Sequence, residues 1–271
     1  MELQGTRGLL TGAAGGLGTE IARGLAGQGA TLVLSGRDEA ALESLRASLP
    51  GSGHTIFSAD LADRDEAKTL IGRVEAEAGP LDLLVNNAGI ETAGTYHRLP
   101  VEDIERMVDL NLLAPMLLTH AVIPGMLKRG KGHVVQISSV AGLASVACNE
   151  PYGATKGGLV RFNESLRATY DKEPVGFSVV CPGFTKGGGM YTRMEAEGHK
   201  SNPMLGTSTV EDVSAKVLKA ITHDKALLIS NNRPMQPILA LAALSPGLSA
   251  TLMERSGANK IFRGLAAERE K

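Results

Sequence analysis

Tryptophan is absent, cysteine occurs twice, and the remaining aromatics are four Tyr and five Phe in 271 residues. Two cysteines, Cys148 and Cys181, are too few for a disulfide scaffold or a Cys-based zinc site. They read as small apolar side chains in a reducing compartment. So few rings exclude base stacking as the main activity. Charge of one sign is lacking too: 28 Lys+Arg against 29 Asp+Glu leaves −1, with no global field for nucleic acid or an anionic membrane. No run of about 18 apolar residues is apparent, so no transmembrane segment is expected. No secretory signal is apparent either, since Glu2 is acidic and the short apolar stretch after Arg7 meets Gly12-Ala13-Ala14-Gly15-Gly16. A cytoplasmic location is the expectation. His54, His97, His120, His133, His199 and His223 form no H-x-x-x-H pair, so no metal is expected. Only His97 is a candidate for substrate contact.

What is present is a 43% hydrophobic fraction, enough for a full core, and 33 clustered glycines. Short apolar runs predict strands over 8–11, 31–34, 55–59, 81–85, 133–137, 177–180 and 226–229. Amphipathic runs predict helices over 17–26, 39–49, 65–78, 101–118, 152–170 and 210–221. Strand–helix alternation implies right-handed βαβ units. The fold class is α/β: one doubly wound parallel sheet of about seven strands, of Rossmann type, with helices on both faces. No linker divides residues 1–271, which read as one dinucleotide-binding and catalytic domain. Two segments break the rhythm: a Gly-rich lid at about 184–205 and an apolar, helical C-terminal extension at about 232–271.

The first strand runs into Thr11-Gly12-Ala13-Ala14-Gly15-Gly16-Leu17-Gly18. A Gly-rich strand-to-helix turn lets backbone approach a phosphate and aims free N–H groups at it. No Gly-Lys-Ser/Thr follows, so this is not a Walker loop. At the end of the second strand an acid would hold a ribose 2′-hydroxyl. Arg37 stands there, with Asp38 after it. Arg37 is either a 2′-phosphate ligand, suited by charge and fork geometry, or a solvated loop residue. Asp60, followed by Leu61, ends the third strand where an adenine amino group is met. Asn86-Asn87-Ala88-Gly89 ends the fourth.

Thr11–Gly18, Asn86–Gly89, Asn111, Ser139, Tyr152-Gly153-Ala154-Thr155-Lys156 and Pro182-Gly183 stand in the order and spacing of the classical short-chain dehydrogenase/reductase family. The chain resembles that family over roughly residues 5 to 230. The resemblance implies a catalytic set of Asn111, Ser139, Tyr152 and Lys156. It implies a cofactor site of Gly12, Ala14, Gly15, Gly16, Leu17, Gly18, Arg37, Asp60, Leu61, Asn87, Ala88, Gly89, Tyr152, Lys156, Pro182, Gly183 and Thr185. The expected cofactor is NADP, on the strength of Arg37, with NAD as the alternative.

Physical reasons accompany these roles. Tyr152 and Lys156 are four apart and share a helix face. A nearby ammonium and a cationic nicotinamide would lower a phenol pKa that is otherwise near 10. Tyr152 then exchanges the proton of a carbonyl or alcohol, and Lys156 tunes it and holds the nicotinamide ribose. Ser139 would stabilise the substrate oxygen; Ser138 competes, although strand alternation turns it the other way. Pro115 lacks the N–H that the Asn111 carbonyl needs in an α-helix. That leaves either a free carbonyl, which in the family holds a water leading to the lysine, or a plain kink. Where family members carry a Thr near the carboxamide, this chain has Gly187; Thr185 or Thr192 would substitute. The glycines there would make a mobile lid.

The expected activity is NAD(P)-dependent interconversion of a carbonyl and a secondary alcohol. The alternative is a non-catalytic dinucleotide-binding regulator on the same fold. Met190, Tyr191, Met194, Met204, Leu205 and the Leu/Ala-rich tail 235–252 favour a bulky hydrophobic substrate. The tail would form two amphipathic helices over the cleft, a membrane-surface or subunit contact, or the last part of the core. No nucleic-acid partner is expected. The helices over 101–118 and 152–170, with Leu112, Leu113, Met116 and Leu117, imply a homodimer or homotetramer.

Overall fold

The computed structural model describes residues 1–202 and 205–270. Seven strands form one sheet in the order β3-β2-β1-β4-β5-β6-β9, all neighbours parallel. They are β1 (Arg7–Thr11), β2 (Thr31–Gly36), β3 (Thr55–Ser58), β4 (Leu83–Asn86), β5 (Gly132–Ile137), β6 (Val175–Pro182) and β9 (Leu227–Ser230). Each overlaps a predicted strand. The two-residue strands β7 (Thr185–Lys186) and β8 (Ser208–Thr209) pair with each other at the base of the lid.

Period-two alternation sorts the strand side chains into two cores. Leu9, Val33, Leu84 and Val134 pack on α3 (Arg64–Ala78) and α5 (Ala114–Arg129) through Leu70, Leu118 and Val122. Leu10, Leu32, Leu34, Leu83 and Val85 pack on α1 (Gly16–Gly27), α2 (Glu39–Ser48) and α8 (Val210–Thr222) through Ile21, Leu42 and Val213. Fully burying each such side chain contributes about 1.5–3 kcal/mol. Asp38 and Asp63 cap α2 and α3 by accepting backbone N–H groups, and Thr209 with Asp212 forms a capping box on α8.

The predicted helix over 101–118 is longer and less regular than expected. It comprises α4 (Val101–Val108), a π turn (Asp109–Leu113) and α5, which continues through Pro124 to Arg129. The Ala114 N–H donates to the Asp109 carbonyl, the five-residue step of a π turn. That wider turn sits immediately before Pro115, where the α-helical donor is missing. Val101–Arg129 is also apolar enough and long enough to cross a membrane by length and composition, contrary to the expectation of no such run. Half of its apolar window is buried within the protein, with Leu118, Val122 and Met126 in the core.

After α6 (Glu150–Thr169) and β6 come the lid helix α7 (Met190–Ala196) and, past β9, three tail helices rather than two: α9 (Gln236–Leu244), α10 (Pro246–Arg255) and α11 (Ala258–Arg269). Lid and tail share a third core of Tyr191, Met194, Leu205, Met235, Leu239, Met253, Ile261 and Phe262. Met204, expected in the lid, lies outside the described residues.

Candidate active site

The carboxyl ends of the strands open into a cavity of about 550 Å³. Every residue expected to hold the cofactor lines it, from Gly12 and Gly18 at one end to Pro182, Gly183 and Thr185 at the other. Ser139, Tyr152 and Lys156 line it too; Asn111 does not. His97 and Thr192 are exposed and do not line this cavity, whereas Thr185, the other candidate for the carboxamide contact, does.

The Gly-rich turn is shaped by close backbone approach. Gly12 has φ +61°, and a Cβ there would lie 2.8 Å from the Ala88 Cα. A Cβ on Gly18 would lie 2.2 Å from the Gly12 carbonyl oxygen. The Thr11 hydroxyl accepts from the Asn87 and Ala88 N–H groups, both at 3.0 Å, and the Asn87 amide donates to the Thr11 and Gly12 carbonyls. These bonds lock the ends of β1 and β4 together. The result is a Cβ-free cradle that fits the diphosphate of a dinucleotide.

Beyond the cradle, Arg37 is exposed and makes no side-chain hydrogen bond or ion pair among the described residues. Asp38 is committed to the α2 cap, accepting from the Ala41 N–H at 3.0 Å. Asp60 accepts from Arg106 Nη2 at 3.0 Å and from the Ala62 N–H at 3.1 Å. Arg106 was not among the expected residues, because 46 positions separate it from Asp60.

At the other end, Ser138 and Ser139 divide as alternation requires. Ser138 is buried and donates to the Lys156 carbonyl at 2.7 Å. Ser139 accepts from the Ala141 N–H at 3.1 Å, and its hydroxyl is near enough to the Tyr152 phenol to favour the phenolate. Tyr152 is buried on α6, with Lys156 Nζ 5.7 Å from its ring centroid. Lys156 Nζ donates to the Ile137 carbonyl at 2.9 Å. Burial pulls the Lys156 ammonium down to about 8.

The expected lowering of the tyrosine pKa by its lysine is not found. Burial, and then the negative charge of Glu91, push the Tyr152 phenol above its ordinary value; only the Ser139 hydrogen bond draws it down. Glu91 carries no motif and was missed by sequence reasoning. Its carboxyl is raised by burial to about 6, against the opposing pull of Asn149 and three cations.

Asn111 is fully buried behind the wall. Its side-chain oxygen accepts from the Ile90 N–H at 2.9 Å, and its amide donates to the Ile90 carbonyl at 2.8 Å and to Thr155 at 3.3 Å. It thereby ties the π turn to the segment after β4 and to α6. The substrate end of the cavity is walled by lid and tail: Phe184, Met194 and Leu205, with Met235, Met253 and Phe262. The tail thus covers the cleft.

Comparison with known proteins agrees with this geometry. A family model described as short chain dehydrogenase matches residues 8–198. A ketoacyl reductase, HetN of Nostoc sp., is 35% identical over 93% of this chain and 88% of its own length. Among solved structures, one titled short chain dehydrogenase/reductase family protein has a TM-score of 0.75 at 30% identity, covering 85% of this chain and 97% of that one. The serine dehydrogenase of Escherichia coli has a TM-score of 0.69 at 29% identity, covering 84% and 98%.

Proposed function

Because the chain belongs to the short-chain dehydrogenase/reductase family of oxidoreductases, we propose that it reduces the carbonyl of a bulky, largely apolar ketone to a secondary alcohol, with NADPH as hydride donor and Tyr152 as proton donor. The observation that carries this reading is geometric: Ser139, Tyr152 and Lys156 stand together on the wall of the cavity that also holds the Gly-rich cradle, with Lys156 Nζ 5.7 Å from the Tyr152 ring. A tyrosine keeps its proton at neutral pH and can pass it to a carbonyl oxygen as charge develops there, and a neighbouring ammonium such as Lys156 eases that transfer.

The nicotinamide supplies the hydride when bound. The chain's own groups do the rest. Ser139 and Tyr152 hydroxyls converge on the substrate oxygen from the same stretch of cavity wall. Lys156 stands beside the phenol, anchored by the Ile137 carbonyl. Asn111 is a positioning residue, holding Ile90 and Thr155 in register. A carboxamide contact by Thr185 is supported by its burial at the cavity end, where its hydroxyl donates to the Gly183 carbonyl at 3.0 Å.

NADP over NAD is supported by the unpaired Arg37 guanidinium and by the use of Asp38 as a helix cap. An apolar substrate is supported by the methionine and phenylalanine wall. Assembly as a dimer or tetramer is supported by exposed Val101, Val108 and Met116 along one long helix.

The test follows NADPH absorbance over a panel of medium-chain ketones, aromatic ketones and sugars. Tyr152→Phe should bind NADPH normally and lose about 10²–10⁴ in turnover. Near-normal turnover in that variant ends the mechanism. Arg37→Ala should weaken NADPH and spare NADH; equal weakening of both ends the 2′-phosphate role.

A further inference from the structure

The substrate end of the cavity holds one carboxylate that the reaction does not use. Glu91 lines both the main cavity and a side recess of about 110 Å³ whose wall includes Arg193, Glu197 and Arg269. The main cavity it faces has an apolar lining of Val146, Phe184, Met194, Leu205, Met253 and Phe262, with Ser139, Tyr152, Lys156 and Arg193 as its nearby polar groups. A carboxylate in such surroundings is costly unless its oxygens are matched.

One oxygen is matched. Asn149 Nδ2 donates to Glu91 Oε1 at 2.5 Å. Asn149 is 1% exposed, and its carbonyl accepts the Gly153 N–H in the first turn of the helix that carries Tyr152. That turn therefore fixes the direction of Glu91. The second oxygen, Oε2, has no hydrogen-bond partner among the described residues. Glu91 lines the same cavity as Tyr152 and Lys156 and is bonded to the residue that opens their helix, so the carboxylate faces the space shared with the reacting centre.

Taking the reductase reading as its basis, we propose that Glu91 forms a polar subsite that accepts a hydrogen bond from a neutral hydroxyl on a carbon near the reacting carbonyl. The substrate class is then a hydroxyketone with an apolar body, and the product a diol. The charges nearby select among donors. Arg193, Arg269 and Lys156 all act on Glu91, so an ammonium group would enter a region already rich in cations. A substrate carboxylate would meet Glu91 itself as a like charge. A neutral hydroxyl meets neither penalty and supplies the donor that Oε2 lacks.

The experiment compares ligands of equal length by calorimetry on the full chain with NADP⁺ present: 2-octanol, 1,2-octanediol, 1-amino-2-octanol and 2-hydroxyoctanoic acid. In the unaltered protein the diol should bind at least tenfold more tightly than 2-octanol and outrank the amine and the acid. Glu91→Leu should abolish the preference for the diol. Glu91→Gln, which keeps an acceptor oxygen, should retain part of it and serves as the variant if the leucine form does not fold. A diol preference near one, no measurable diol binding, a preference surviving in Glu91→Leu, or the amine or acid binding best overturns the proposal. Turnover of the matching ketones with NADPH is measured separately. Loss of turnover with the diol preference intact defeats the reductase reading and leaves the subsite standing.

Discussion

Gly16 and Gly188 meet backbone to backbone. A Cβ built on Gly16 would lie 2.6 Å from the Gly188 Cα, and one on Gly188 would lie 2.8 Å from the Gly16 Cα. The lid thus rests on the first turn of α1, at the cradle that fits a diphosphate, and only hydrogen at both positions allows it. Gly16→Ala and Gly188→Ala should have the same consequence although 172 residues separate them. In both, the lid lifts, and amide hydrogen exchange across 187–196 accelerates while exchange in β5 and β6 stays slow. A lid equally protected in both variants contradicts this contact.

His133 sets an acid limit on stability. It is buried on β5, with Nε2 2.9 Å from the Ser178 hydroxyl, and burial holds its pKa down at about 4 against an ordinary 6.5. Below 6.5 the unfolded chain takes up a proton that the folded chain refuses. Stability is therefore complete above 6.5 and is lost as pH falls towards 4, by about 3 kcal/mol for this group. His133→Gln should flatten that slope in urea titrations between pH 4 and 6.5. An unchanged slope shows that other groups carry the acid sensitivity.

Lys156 should cost stability in exchange for function. Its ammonium is pulled from 10.5 to about 8 by burial. Between those values the unfolded chain holds more protons, so stability rises with pH through that window. At pH 7 the full cost, up to about 3 kcal/mol, is present. Lys156→Met should raise the thermal midpoint at pH 7 and abolish turnover. A lower midpoint would mean that the bond to the Ile137 carbonyl outweighs desolvation.

The tail should matter for substrate and not for dinucleotide. Ending the chain at Asn232 removes Met235, Met253 and Phe262 from the wall and leaves every residue of the Gly-rich cradle in place. NADPH affinity should stay within about threefold, while KM for an apolar ketone rises at least about tenfold, since each lost apolar side chain is worth about 1.5–3 kcal/mol of burial. An unchanged KM removes the tail from substrate recognition.

The strands were legible because each is a short apolar run bounded by turn residues, and β1 read directly into its glycines. Tyr152 and Lys156 were legible because their spacing is local. Pro115 pointed to an irregular helix, but a sequence cannot distinguish a kink from a π turn: both respond to the same missing N–H. The continuation through Pro124 was hidden for a related reason, since packing of Val122, Ile123 and Met126 outweighs one lost hydrogen bond. Glu91 and Arg106 were invisible because their partners, Asn149 and Asp60, are 58 and 46 residues away. The direction of the Tyr152 shift was also hidden. It depends on how deeply the phenol is buried and on the Glu91 charge, both products of tertiary packing.

The third core shares none of its buried residues with the two that flank the sheet. Lid and tail meet in this core and join the body through Ala93 and Ala144, through the Arg269 bond to the Ala93 carbonyl and through the Asn259 bond to the Ala147 N–H. Met194, Leu205 and Met253 line the cavity from this core, so substitutions there reshape its wall at positions outside the Ser139, Tyr152 and Lys156 set. Directed evolution of the cavity wall thus has a bounded stretch of lid and tail in which to work.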